Sequence, residues 1–496
     1  MIMESREVTK SNVISSLIWK FLERGGTQGV QFIVSIILAR LLAPADFGVI
    51  ALVLVFLNIA DVFVQSGFNT ALVQKKDADN LDFSSVFYVS IGVSVLLYVV
   101  IFFSAPFVAN FYNRPELVSI VRVLSFTLII GAVNSIQEAY ITRNLLFKKL
   151  FYRSISVAIP AGAIGIFFAY RGMGVWALVI QRLATAFLLC LFMWFSVKWR
   201  PQLIFSISRV KKLFSFGWKL LASALLNTGY NELHSFVIGK MFAPAALGFY
   251  SRGHQFPSII VSNVNTSIQS VLLPTMSSYQ DDRVRLKQMT RRAIVTSSYV
   301  IVPLMACLAA LAKPLVLVLL GEKWLPCVPF IQICCITYSF WPIHTSNLSA
   351  INAVGRSDVF LKLELIKKSV GISVLCLFIY LFRTPIGIAT TGAATALIGA
   401  FINAHPNKRL LNYGYFEQMR DVVPSYILSI TIGGIIYYLT NLSLNPWLQL
   451  ILYPLIGVGL YFSVSKILHL ECFEYLISLI KEFKDGHRNK QVNEGT

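Results

Sequence analysis

The chain opens polar, over "MIMESREVTKSN", and then runs apolar with few breaks until about residue 466. Unbroken apolar runs of about 20 residues recur, the length a helix needs to cross the hydrocarbon core of a bilayer. One reads "FYVSIGVSVLLYVVIFFSAPF" from Phe87. Such runs are too long and too continuous for the alternating strands of a membrane β-barrel. The pattern predicts fourteen transmembrane helices in an all-α, polytopic membrane fold. The loops between them are short and leave no room for a soluble catalytic domain, so no enzyme is expected. The first span lacks a short apolar core followed by a small-residue cleavage site, which predicts an uncleaved first helix.

A second pattern lies over the first. "LLAPADFG" from Leu41 returns as "MFAPAALG" from Met241, and "SLIWKFL" from Ser16 returns as "SFGWKLL" from Ser215. At the same offset Asn58 meets Ser258, Gln65 meets Asn265 and Asn69 meets Gln269. Each copy holds six spans. Six is even, so both copies enter the membrane from the same side, as parallel repeats related by a pseudo-twofold axis along the membrane normal. The expected organisation is a first lobe over 1–200 (spans one to six), a second over 201–412 (spans seven to twelve), peripheral spans thirteen and fourteen over 413–466, and a tail over 467–496. In the tail, Phe473, Leu476, Ile480 and Phe483 share one helical face beside Lys481, Lys484 and Arg488, the signature of an in-plane amphipathic helix. The Pro-Gly phrase itself reads as a tight turn in which proline starts the next helix.

Polar residues interrupt this apolar background at helical spacing. Span one carries Lys20, Arg24, Gln28 and Gln31; span seven carries Lys219, Ser223, Asn227, Asn231 and His234. Asn58, Asp61 and Gln65 mark span two, and Arg252, Gln255, Ser258, Ser262 and Asn265 mark span eight. Spacings of three and four put each set on one face. Charges within a bilayer normally face the protein interior or a watery cavity, so four such stripes predict a wet, net-positive cavity between the lobes. Its candidate lining is Arg24, Arg252, Lys20, Lys219, Gln28, Gln31, Asn227, Asn231 and Gln255. The few acids in the spans, Asp61, Glu23, Glu138 and Glu232, are candidates for coupling to H+ or Na+, with Asp61 in mid-span favoured. Gly25, Gly26 and Gly29 permit close helix packing.

Composition fits the same picture. The chain is 56% hydrophobic and 13% charged, against roughly a quarter charged in soluble domains. Its net charge of +20 comes largely from loops after even-numbered spans: Lys75 and Lys76, Arg143 to Arg153, Lys198 to Lys212, Arg283 to Arg292, Arg356 to Lys368 and Lys408 to Arg420. Positive loops stay cytoplasmic, which places both termini inside. Attraction to an anionic leaflet accounts for about half of the basic residues, and a nucleic-acid partner is not needed. Seven cysteines are scattered without metal-ligand spacing, so no metal site is expected. There is no GxxxxGK[ST] phosphate loop and no cofactor is expected.

The segments "ARLLAPADFGVIALV" from Ala39, "SGFNTALVQKK" from Ser66, "LPTMSSYQDD" from Leu273 and "LLGEKW" from Leu319 carry a family resemblance. The chain resembles the Wzx-type flippases of polysaccharide synthesis, in the multidrug/oligosaccharidyl-lipid/polysaccharide exporter superfamily, and within them the colanic acid exporter branch. The resemblance covers about residues 10–465. It implies a bacterial inner-membrane transporter, monomeric, that carries a polyprenyl-diphosphate oligosaccharide (capsule, exopolysaccharide or O-antigen units of lipopolysaccharide) across by alternating access, among membrane lipids and alongside the polysaccharide polymerase machinery. It also implies that lumen arginines on helices one and eight, here Arg24 and Arg252, hold the lipid diphosphate. An arginine expected on helix two has no counterpart in "FGVIALVLVFLNIADVF". Two other functions compete: a membrane glycosyltransferase or polymerase, which needs larger loops, and a drug/cation antiporter, which needs an acidic cavity.

Overall fold

The computed structural model describes residues 10–65, 68–75, 77–144, 147–442, 444–475 and 477–478, with side chains at 10–18, 20–24, 147, 149, 216, 267, 270, 271, 273 and 274 excepted. All its regular elements are helical. The chain divides into two compact units, Met1–Gly248 and Phe249–Thr496.

The first unit contains α1 (Lys10–Leu41), α2 (Pro44–Gln65), α3 (Phe68–Gln74), α4 (Asn80–Tyr112), α5 (Leu117–Arg143), α6 (Phe147–Tyr170), α7 (Val175–Ser196) and α8 (Ile207–Met241). Here α1 lies along α6, α4 along α5, and α7 against α5 and α6, while α8 packs on α2 and α3. Turn chemistry sets the boundaries. α4 starts at a capping box: the Asp79 carboxylate accepts from the Asp82 N–H while Asp82 accepts from the Asp79 N–H. The helix ends at Asn113 in the left-handed region, a conformation that Asn tolerates better than most residues. One core cluster gathers Leu72, Phe83, Phe87, Ile136, Met193 and Trp199, with the Trp199 ring 5.8 Å from Phe83 and 6.1 Å from Phe87.

Following α9 (Pro244–Ser277), whose first turn belongs to the first unit, the second unit comprises α10 (Arg283–Ala310), α11 (Ala312–Leu319), a 3-10 turn (Glu322–Cys327), α12 (Val328–Ser339), α13 (Trp341–Ala353), α14 (Ser357–Phe382), α15 (Pro385–Leu410), α16 (Tyr415–Leu439) and α17 (Pro446–Ile467). α10 packs on α16, α12 and α13; α15 packs on α12, α13 and α14; α17 closes on α11 and α16. Tyr299 and Tyr461 meet at 4.8 Å between α10 and α17, and the Tyr461 hydroxyl donates to the Tyr299 carbonyl at 3.0 Å.

Eleven stretches of the described residues are long and apolar enough to cross a membrane. Both α8 and α9 stand outside that set, diluted by the polar stripes they carry, and in α1 only Trp19 and residues 25–41 have described side chains. With lengths of 32, 35 and 34 residues, these three helices are consistent with the fourteen spans expected. Large apolar side chains face outward along many spans, Phe107 at 83% exposure and Phe195 at 77% among them. A surface of that kind is stable against lipid and a liability in water.

The repeated Pro-Gly phrase does more than turn the chain. α2 and α9 both start at its proline, as the sequence suggests. Within the first unit the two copies also press on one another: a Cβ on Gly48 would overlap the Pro244 carbonyl, and one on Gly248 would overlap the Pro44 carbonyl. Glycine is required because backbone meets backbone at that crossing. The phrase is written twice because each copy is the other's packing partner.

The contact-defined units and the repeat-defined lobes divide the chain at different points, since α8 packs on α2, α3 and α4. In the tail only residues 467–475 and 477–478 are described, so the amphipathic face at Leu476, Ile480 and Phe483 lies outside the described residues, as does most of the basic run that follows.

Candidate functional site

In the first unit the face of α2 bearing Asn58, Asp61 and Gln65 turns toward other helices, as their spacing predicts. The Asn58 amide donates to Glu232 Oε1 of α8 at 2.8 Å, tying α2 to one of the candidate coupling acids. The Asp61 carboxylate accepts from the Gln65 amide at 2.6 Å. On its other side lies α5, where a Cβ on Gly131 would stand 3.7 Å from Asp61 Oδ1. Arg182, from α7, is close enough to interact electrostatically with Asp61. One turn beyond Gly131, Asn134 carries a buried side-chain oxygen with no hydrogen-bond partner.

α8 presents Lys219, Ser223, Asn227 and Asn231 at four-residue intervals, and all four are exposed. An exposed polar stripe on a long helix is what a water-lined surface requires and what a lipid-facing surface forbids. On α1, Gln28 is half-buried and Gln31 exposed. The side chains of Lys20, Glu23 and Arg24 lie outside the described residues. Of the three glycines in α1, Gly26 alone approaches a neighbour, with Ile155 and Phe151 of α6 around it. Glu138 is half exposed near the end of α5, 4.0 Å from Arg153.

The second unit brings Arg252 and Gln255 together. Arg252 Nη1 donates to Gln255 Oε1 at 2.5 Å, and the guanidinium also senses Cys327 at the end of the 3-10 turn. Gly253 makes this possible: a Cβ there would stand 2.5 Å from Phe330 Cβ, so α9 lies directly on α12. His254 shares a 2.8 Å hydrogen bond with the Tyr338 hydroxyl and packs its ring on Tyr250 and Tyr338.

Further polar groups in the spans escaped the stripe analysis. His344 of α13 and Asn403 of α15 share a 3.0 Å hydrogen bond. Lys367 and Glu364 of α14 form an ion pair close by, for Gly399 has both His344 and Lys367 against it. One turn further, Asn347 donates to Gln418 at 2.8 Å, Asn407 donates to Asn347 at 2.6 Å, and Gln418 donates to the Tyr413 carbonyl at 3.2 Å, all three amides being fully buried. Arg182 also escaped, although a lone cation in "VWALVIQRLATAFLLCLF" is a legible signal.

Many loop cations are held by acids instead of standing free. Lys75 meets Asp82 at 2.5 Å, and Arg209 lies 3.4 Å from Asp82 and 3.5 Å from Asp79. Arg291 forks onto both oxygens of Asp421 at 2.9 and 3.1 Å and reaches Glu471 at 2.9 Å, while Lys287 pairs with Glu417 at 2.8 Å. Among the described residues no cluster of His, Cys, Asp and Glu could hold a metal ion.

A family model described as "Polysaccharide biosynthesis protein" matches residues 37–329. The chain is 23% identical to the succinoglycan biosynthesis transport protein ExoT of Rhizobium meliloti, across 92% of either chain. It is 22% identical to the lipopolysaccharide biosynthesis protein WzxC of Escherichia coli, over 85% of this chain and 84% of that one. Among solved structures, the lipid II flippase MurJ in an inward closed conformation superposes with a TM-score of 0.75 at 15% identity, covering 92% of this chain and 99% of MurJ. An inward-facing multidrug transporter of the MATE family gives 0.57 at 14% identity, over 77% of this chain and 95% of the other. The two structural likenesses identify a shared fold, and the apolar helices together with the relatives make this a multi-pass membrane protein.

Proposed function

From the premise that the chain belongs to the polysaccharide biosynthesis protein family, we propose that it is a flippase, carrying a polyprenyl-diphosphate-linked oligosaccharide across the bacterial inner membrane by alternating access. The observation that carries this reading is the open polar stripe of α8, Lys219, Ser223, Asn227 and Asn231, in a molecule otherwise clothed in apolar side chains. The names of its relatives, a succinoglycan transport protein and a lipopolysaccharide synthesis protein, agree with it.

The physical demand is clear. The prenyl tail of such a cargo stays in lipid, but its diphosphate and hydroxyl-rich head do not. An unpaired charge in an apolar medium costs several kcal/mol even after relaxation. Arginines supply charge-assisted, often bidentate hydrogen bonds to phosphate, the role we assign to Arg24 and Arg252, and we add Lys20 and Lys219 to that set. Gln28, Gln31, Asn227, Asn231 and Gln255 serve the sugars. Two lobes over 1–200 and 201–412, with 413–466 at the periphery, rock about this site, both termini being cytoplasmic. Asp61 is the favoured site of H+ or Na+ coupling, ahead of Glu232, Glu23 and Glu138. The protein works as a monomer beside a polymerase and makes or breaks no covalent bond itself.

Replacing Arg252 by Ala is expected to abolish polysaccharide export while the protein still reaches the membrane, and Arg24→Ala to do the same. Export is measured in cells lacking the native copy, and membrane level by immunoblot. Normal export by both variants would remove the site assignment. A reconstituted protein that never moves lipid-linked sugar, with or without a pH or sodium gradient, would remove the function.

A further inference from the structure

Arg182 stands in an apolar span without the partner that such a position ordinarily demands. It lies seven residues into α7. The outward-facing apolar residues of that helix, Phe187, Leu191, Trp194 and Phe195, define its lipid side. At 100° per residue Arg182 falls on the opposite side, on the stripe of buried Leu178 and Met193. It is nevertheless exposed. A side chain that faces away from lipid and is still exposed lines an opening inside the protein. Among the described residues Arg182 makes no hydrogen bond and no ion pair. Its electrostatic partner is Asp61, which lies beyond ion-pair distance and already accepts from Gln65.

A guanidinium is always charged, and an uncompensated one is expensive inside a membrane. Arg291 meets two carboxylates and Arg252 donates to the neutral Gln255 amide; among the described residues Arg182 has neither kind of contact. We propose that Arg182 is an oxyanion-binding residue of the transport path, that it takes a phosphate of the cargo's lipid linker, and that Asp61 is the internal counter-charge which competes for it when the path is empty. This rests on the flippase reading and adds to it a third binding arginine, on a helix that neither the stripes nor the family resemblance single out. Placing the counter-charge out of contact suits the role. A contact ion pair would hold Arg182 shut, whereas a distant carboxylate tempers its charge and leaves its donors open to an incoming phosphate.

The test uses full-length protein in nanodiscs of neutral phospholipid, with undecaprenyl diphosphate and the uncharged undecaprenol as probes. Wild type is expected to prefer the diphosphate. Arg182→Ala should lose about tenfold of that preference, the scale of one charge-assisted contact, and Arg182→Lys should keep part of it. Asp61→Asn should bind the diphosphate several-fold more tightly, a change of sign that a merely structural pair would not give. If wild type discriminates and Arg182→Ala discriminates equally well, Arg182 is not the site and the flippase reading survives. If wild type itself ignores the diphosphate, the cargo reading fails first. Two further arms separate the sources of the oxyanion. Equal competition by phosphatidylglycerol would make Arg182 a membrane-lipid contact, and Arg182-dependent binding of a soluble uronate oligosaccharide would move the anion from linker to sugar; either overturns the assignment. Should Arg182→Ala fail to fold, unchanged affinity in both Arg182→Lys and Asp61→Asn would overturn it instead.

Discussion

Asp82 and Asp61 are both acids of the first unit, yet the fold treats them oppositely. Asp82 is fully buried and saturated: it completes the Asp79 capping box, takes Lys75 at 2.5 Å and has Arg209 at 3.4 Å. Asp61 accepts from Gln65, and its cation, Arg182, stays at a distance. A buried polar group with every partner in place rigidifies its surroundings, whereas a partly satisfied one is costly unless something else completes it. The contrast separates polar residues that build this protein from those it keeps for its cargo. In unit two Asn347, Asn407 and Gln418 share a buried hydrogen-bond network, whereas in unit one the α8 stripe from Lys219 to Asn231 is exposed.

The strongest way to break this comparison is Asp82→Ala. Removing one partner of a buried ion cluster strands the others, typically at about 3–5 kcal/mol, and here the Asp79 N–H also loses its half of the capping box. Thermal unfolding of the purified protein should show a large fall in melting temperature together with poor yield. A variant that melts like wild type would mean that saturation does not mark structural residues. The same cluster gives a pH signature. Burial pulls the Asp79 carboxyl upward, but its hydrogen bonds with Asp82 and the nearby Arg209 and Lys75 outweigh it and hold the group below the usual carboxylate range. A depressed pKa stabilises the fold above the ordinary carboxylate value, and that contribution is lost as pH falls through the folded-state value.

A middle-sized effect is expected from Gln418→Leu, which sharpens the comparison within unit two. The substitution strands the Tyr413 carbonyl and removes one partner from Asn347, which keeps Ile343 and Asn407. A stranded buried polar group costs about 1–3 kcal/mol, so the variant should melt below wild type and well above Asp82→Ala. Transport per folded molecule should be unchanged, which flipping measured against the amount of folded protein would check.

Much of this was legible in the sequence, and the boundary has a physical cause. Spans are local and periodic, so hydropathy finds them; the turn prolines Pro44 and Pro244 are local too. The α8 stripe is exposed, and Arg252 and Gln255, one turn apart on α9, share a hydrogen bond. Contacts between distant segments are another matter. Nothing near Asp82 in the chain announces Arg209, and nothing in the two Pro-Gly phrases says that they pack on each other. His344 and Asn403 are not legible in the same way, because single polar residues on two different helices form no stripe. Arg182 could have been found: a solitary arginine in an apolar run needs no neighbour in sequence to be conspicuous, and a search for stripes discards it.

The smallest expected effect on stability is the most telling. Asp61→Asn keeps the shape of the side chain and an oxygen able to accept from Gln65, and it deletes the negative charge. If Asp61 were structural in the manner of Asp82, that deletion would release Arg182 as an uncompensated cation and lower the melting temperature sharply. If Asp61 is instead reserved for transport, the fold should hardly notice, since Arg182 already lacks a contact partner and faces an opening. The expected shift is within about 0.5 kcal/mol, the range of substitutions that break no packing or hydrogen bond. Flipping driven by an imposed pH or sodium gradient should nevertheless be lost or uncoupled. A variant that melts far below wild type while still flipping at the normal rate would reverse both halves of that expectation, and would place Asp61 with the residues that build the protein.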